Sequence, residues 1–283
     1  MIDYKTASGP YLPLTEELLR RAQELEYVKG FWIHGSRSVG RNTEDSDIDY
    51  AFIVEKKEDE ERLAKSLSDI LEWKERRGFY PEQIWTGPHW KEHAGEDNFR
   101  GIGMHFYGKQ EFLDTFGNVF DDTPVEVEAA AGMDRWQNTK FLQVQGSVQF
   151  IVVESIPLYD PEGLLGTARE KALSYPDEFS QKIVDCMIKN LEIKLSWFGE
   201  PWIQRNKYNF ISDIREVLYY IAIAHYAKNK TFIQNGLKRY HYDIKTFKPN
   251  IKQEVDELLK IDENFETENK SVYLKAILEK LKS

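Results

Sequence analysis

The sequence is poor in cysteine, in net positive charge and in long apolar runs, and each shortage removes a class of protein. Cys186 is the single cysteine of 283 residues, which excludes an intramolecular disulfide and a cysteine zinc cluster. It lies in an apolar helical pattern and reads as a small core residue. Lys and Arg number 38 against 48 Asp and Glu, a net charge of −10. That balance argues against a general nucleic-acid binder, which needs a basic surface to displace counterions. No apolar run reaches the ~18 residues of a transmembrane helix, and the opening MIDYKTASGP does not read as a signal peptide. The expectation is a cytoplasmic protein with no membrane partner. The hydrophobic share of 41% and charged share of 30% suit a globular chain with one large or two modest domains. Aromatic residues, at 13%, fit packed cores and also a ring-lined pocket.

What stands out is the stretch from Phe31 to Val54, FWIHGSRSVGRNTEDSDIDYAFIV. It reads as a short apolar strand, Phe31–His34, a Gly-Ser turn, a polar loop and a second apolar strand, Ile48–Val54. Asp47 and Asp49 are two residues apart, so in a strand both side chains leave the same face. Like charges that close call for a divalent cation or a shared proton. Gly35 and Ser36 fall where the first strand ends; glycine there permits close approach of a ligand, and the following amides can point at phosphate oxygens.

Around this stretch, Thr15 reads as the cap of a helix carrying Leu18, Ala22 and Leu25 on one face. Residues 56–77 are charged, but Leu63, Leu67, Ile70 and Leu71 keep helical spacing, so an amphipathic helix ending at Gly78 is expected. Strands are expected over Gln83–Thr86, Ile102–Tyr107 and Phe150–Tyr159, with a helical turn over Gln110–Phe116. Pro124–Ala130 is open between strand and helix, and Asp134–Gln145 reads as helical. His89 and His93 share a polar loop without a companion metal pattern. After Asp160-Pro161-Glu162-Gly163 only helical spacing remains, as in Ile188, Leu191, Leu195 and Phe198, or Leu274, Ile277, Leu278 and Leu281. The fold class expected is α/β (α+β): a small mixed sheet in residues 1–160, then a C-terminal helical bundle in residues 161–283.

Gly35-Ser36-Arg37, Gly40 and Ser46-Asp47-Ile48-Asp49 resemble the signature of the DNA-polymerase-β-like nucleotidyltransferase superfamily. The two-domain layout is similar to the aminoglycoside and lincosamide antibiotic nucleotidyltransferases. The resemblance implies a Mg²⁺-dependent transfer of a nucleoside monophosphate from an NTP, ATP foremost, to a hydroxyl of a small molecule. Asp47 and Asp49 would hold the metal, Gly35 and Ser36 would cradle phosphates, Arg37 would neutralise one, and Ser46 would cap or orient the turn before Asp47. The acidic balance permits a cationic acceptor of the aminoglycoside kind. Dimers that complete each other's site are common in the resembled family.

One departure stands out. Family members commonly add a third carboxylate on a later strand, and by the match that position is Gly103. The strand Gly101–Tyr107 contains no acid. His105 shares the strand parity of Gly103 and could act as base. Alternatively the acid comes from Glu126, Glu128 or Glu154, or the chain binds nucleotide as an antitoxin-like module without transferring it. In the helical half, residues 228–248 carry six basic residues against one acid, Asp243. That excess could face a triphosphate, with Lys238 the first choice.

Overall fold

The computed structural model describes residues 2–43, 46–70, 72–77, 82–86, 102–121, 145–198, 207–233, 239–260 and 267–283. The expectations placed on Gly78, His89, His93, Gly101, Pro124–Ala130 and Lys238 lie outside these residues, as does the helix expected over Asp134–Gln145 up to residue 144. Two compact units are present, residues 1–119 with 150–174, and residues 120–149 with 175–283. Residues 161–174 thus belong with the sheet, past the expected boundary at 160.

The first unit opens with a short helix α1 (Tyr4–Ser8) and a 3-10 turn (Gly9–Tyr11), then α2 (Leu12–Glu24). Helix α2 starts before Thr15 because Pro13, with its fixed φ, suits the first helical turn. Thr15 is therefore inside the helix, not its cap: its hydroxyl bonds to Tyr11 O (3.0 Å) and to the Tyr50 hydroxyl (2.7 Å). Strand β1 (Val28–His34), a 3-10 turn (Arg37–Val39) and β2 (Ile48–Val54) follow.

Helix α3 covers only Asp59–Ser66, and β3 is Glu72–Arg77. The long charged helix expected over 56–77 is thus divided. Its second half pairs antiparallel with β4 (Glu82–Thr86), a non-local partner that overrides local helical spacing. Strand β5 (Ile102–Gly108) leads into α4 (Lys109–Phe116). Where a strand was expected from Phe150, residues Val148–Val153 form a π-helix, and β6 is confined to Ile156–Tyr159. Arg169, on α5 (Leu164–Leu173), accounts for this: it donates Nε to Val152 O (3.1 Å) and Nη2 to Ser155 O, so side-chain donors serve carbonyls that a strand would have paired.

The sheet order is β3-β4-β5-β2-β1-β6, with β2 and β5 parallel and the other neighbours antiparallel. One face carries Phe31, Ile33, Tyr50, Phe52, Met104 and Phe106, buried against Leu14, Leu18 and Ala22 of α2 and Leu63 of α3. Phe52 is the centre of that layer, stacked on Phe31 at 4.4 Å and on Phe106 at 5.7 Å.

The second unit contains α6 (Asp177–Phe198), α7 (Lys207–Lys228), α8 (Tyr240–Asp243), α9 (Lys252–Leu259) and α10 (Thr267–Lys282). Helix α6 packs on α7 and α10, and α9 packs on α10. Within it, buried Lys194 of α6 meets Asp213 (2.8 Å) and Glu216 (2.6 Å) of α7 and lies over the Trp197 ring. Burial of that ammonium is sustained by two carboxylates supplied by the chain itself.

Candidate active site

The sheet's other face is built from the alternate residues of the same strands. The ladder sets His34 of β1 opposite Asp49 of β2, and Asp49 beside Gly103 of β5. One rung deeper, Trp32, Ala51 and His105 are aligned. The small side chain of Ala51 lets the rings of His34 and His105 meet across β2 at 4.8 Å, and Phe150 of the π-helix closes on His34 at the same distance. Deeper still, Tyr107 packs with Trp32, Phe112 and Phe116.

At the mouth of this face, Gly35 is buried with φ +83°, a left-handed conformation that favours glycine. A Cβ on Gly35 would fall 2.1 Å from Asp49 Oδ2. The carboxylate of Asp49 therefore lies against the backbone of the turn, in space that any side chain at 35 would occupy. Asp47 and Asp49 are both half-buried, as is Ser36. The turn is held by Ser38 Oγ donating to Gly35 O (2.8 Å) and Arg41 N donating to Ser36 O (2.9 Å). Gly40 ends it in a left-handed conformation, φ +67°, with a Cβ there only 2.5 Å from Ile2 Cδ1. Ser46 acts within the loop: its Oγ accepts from Thr43 N at 2.8 Å.

Arg37 is not where a phosphate ligand would be. It is 4% exposed, and its guanidinium donates Nε to Asp47 O (2.8 Å) and Nη2 to Ser46 O (2.7 Å). Its donors are directed at the main chain that carries Asp47. Tyr11 lies under this guanidinium, 4.9 Å from ring centre to Cζ. Burial raises the Tyr11 hydroxyl pKa; Arg37 pulls it down, and Asp47 and Asp49 push it up. Tyr11 thus senses both carboxylates, a placement that no pattern in its Gly-Pro-Tyr-Leu-Pro surroundings announces.

His105 shares the face of Asp49 but not its access. It is 5% exposed, and burial lowers its pKa to about 4. Burial, then His105 itself, holds His34 well below the ordinary imidazole range. Both rings are neutral near pH 7. A general base must reach the acceptor's proton; His105 is packed among rings instead. Of the alternative acids, Glu126 and Glu128 lie outside the described residues. Glu154 is half-buried two residues ahead of Ile156, which pairs with Ile33. That register puts its backbone at the end of the sheet where β1 gives way to Gly35. In the helical unit three of the six basic residues are engaged: Lys228 donates to Leu281 O (3.0 Å), Lys230 pairs with Asp177 (2.5 Å) and Arg239 with Asp243 (3.1 Å).

A glycine turn thus follows β1, Asp47 lies just before β2 and Asp49 lies within it. Residues 16–77, a stretch that includes the turn and both aspartates, match the family model "Polymerase beta, Nucleotidyltransferase". A nucleotidyltransferase-like protein from Exiguobacterium sibiricum 255-15 is similar in structure, at 10% identity over 94% of this chain and 72% of that one, with a TM-score of 0.42. No curated protein matches the chain. No helix among the described residues is long and apolar enough to cross a membrane.

Proposed function

We propose that the first unit transfers a nucleoside monophosphate from an NTP, ATP foremost, to a hydroxyl of a small molecule, with Mg²⁺ held by Asp47 and Asp49. The observation that carries this reading is the Asp49 carboxylate lying against Gly35, which puts a carboxylate and a backbone turn at one point. The donor set fits the ion. Mg²⁺ is commonly bound by one or two carboxylates, with waters and substrate phosphates completing the octahedron. Among the described residues no group of three or more His, Cys, Asp or Glu is arranged to hold a metal. When bound there, the ion would supply charge neutralisation for phosphate oxygens and a lowered pKa for the acceptor hydroxyl. Gly35 and Ser36 present backbone close to where those phosphates would lie. The net charge of −10 permits a cationic acceptor, such as an aminoglycoside-like antibiotic. Completion of the site by a second copy belongs to the same reading.

Gly103 favours a second reading. It is the ladder neighbour of Asp49 and contributes no side chain, and His105 behind it is closed off. A site so built could bind Mg-nucleotide without activating an acceptor. Incubation with labelled ATP, Mg²⁺ and a panel of aminoglycosides and other hydroxyl acceptors separates the two. Transfer reads as labelled small molecule plus pyrophosphate, abolished in folded Asp47→Ala and Asp49→Ala proteins. Mg-ATP binding without turnover across the panel selects the binding module, and a labelled macromolecule selects protein modification. Full activity in Asp47→Ala contradicts the metal assignment.

A further inference from the structure

Buried Arg37 and half-buried Tyr11 pack together beside the loop ahead of β2. The guanidinium is bounded on four sides. Ser46 O and Asp47 O accept from it at 2.7 and 2.8 Å. The Tyr11 ring lies at 4.9 Å, and Gly9 comes so near that a Cβ on it would be 3.1 Å from Nη1. Both carbonyls belong to residues placed just before the strand, and one is the carbonyl of Asp47 itself. Anchoring the Asp47 carbonyl restrains the main chain from which that side chain leaves, which limits where its carboxylate can be placed. Asp49 needs no such help: it is inside β2, held by ladder partners on both sides.

We propose that Arg37, seated on Tyr11 and Gly9, is a positioning residue that holds the Asp47 carboxylate in register with that of Asp49 for cation binding. The inference rests on the reading of Asp47 and Asp49 as metal ligands. It gives the N-terminal segment, residues 9–11, a place in the site although it contributes no ligand. A guanidinium suits the task better than an ammonium, because its planar fork serves two carbonyls while its flat face stacks on a ring.

The test is Mn²⁺ titration of the full chain, with free ion followed by its electron paramagnetic resonance signal, and thermal melting of each protein alongside. The wild type is expected to bind Mn²⁺, and Asp49→Asn to lose it. Arg37→Gln is expected to weaken binding by about 10–100-fold, the range for residues that orient metal ligands. Arg37→Lys keeps one donor and the charge and should recover part of that loss. Tyr11→Phe keeps the ring and should bind as the wild type does, whereas Tyr11→Leu should weaken binding at an unchanged melting temperature. Should Arg37→Gln not fold, Tyr11→Leu and Arg37→Lys carry the decision. Wild-type affinity in Tyr11→Leu and Arg37→Lys, or in a folded Arg37→Gln, overturns the positioning role while leaving the metal reading intact. Absence of Mn²⁺ binding by the wild type, with and without a nonhydrolysable NTP, overturns the metal reading itself.

Discussion

The two faces of the sheet share three strands and differ in almost everything else. On one, Phe31, Phe52 and Phe106 stack in a row beneath α2 and α3. On the other, one residue out of step, the same strands present His34, Asp49, Gly103 and His105. The first face is a packing surface whose residues are interchangeable with others of similar volume. The second uses small residues at chosen points: Gly35 admits a carboxylate, Ala51 admits two imidazoles, and Gly103 is the ladder neighbour of Asp49. The comparison teaches that period-2 alternation separates stability from chemistry in a single strand, since a substitution on one face need not reach the other.

That separation has consequences of graded size. Phe52→Ala, on the packed face, is expected to cost about 3–5 kcal/mol of stability, because it empties the centre of a stacked layer. Denaturant unfolding measures the loss, and Mn²⁺ affinity of the protein that remains folded should be unchanged. A loss of affinity there would break the independence of the faces. Gly35→Ala tests the opposite case. The left-handed backbone alone costs about 1–2 kcal/mol for a residue with a Cβ. The new Cβ would also displace the Asp49 carboxylate, so binding should fall far more than stability does.

A smaller effect concerns pH. His105 titrates in the unfolded chain near the ordinary imidazole value but in the folded protein only at about 4, because burial disfavours its charged form. Between those values the unfolded chain binds more protons. Stability from this group is therefore complete above the ordinary value and is lost as pH falls toward 4, at up to about 1.4 kcal/mol per pH unit for one proton. His105→Phe should shallow the acid limb of a melting-temperature profile; an unchanged limb would mean that His105 is solvated. Smallest is Thr15→Val, which removes the partner of the Tyr50 hydroxyl at a cost of about 1 kcal/mol, readable by calorimetry and without effect on Mn²⁺.

The legible parts of this chain are those whose meaning is local. Alternation and the Asp-Ile-Asp spacing mark β2, and a glycine at the end of β1 marks the turn. The helices of the second unit follow from their apolar spacing. What was not legible depends on partners far along the chain. Glu72–Arg77 becomes a strand only because β4 is available to pair with it. Val148–Val153 departs from a strand where Arg169, seventeen residues after Val152, takes the carbonyl of Val152. Arg37 looks like a phosphate ligand by its place after Gly35-Ser36, but the carbonyls of Ser46 and Asp47 return to it across the loop. Tyr11 carries no signal at all in its own neighbourhood. The missing acid at Gly103 was visible in sequence, and the register adds that the gap falls directly beside Asp49.

The most direct measurement is a crystal structure of the full chain with Mn²⁺ and a nonhydrolysable NTP, the ion located by its anomalous scattering. The expected result is a peak between the Asp47 and Asp49 carboxylates, with the β- and γ-phosphates against the Gly35-Ser36 turn. A nucleotide bound elsewhere, or a metal peak away from both aspartates, would contradict the assignment of this sheet face as the nucleotide and metal site.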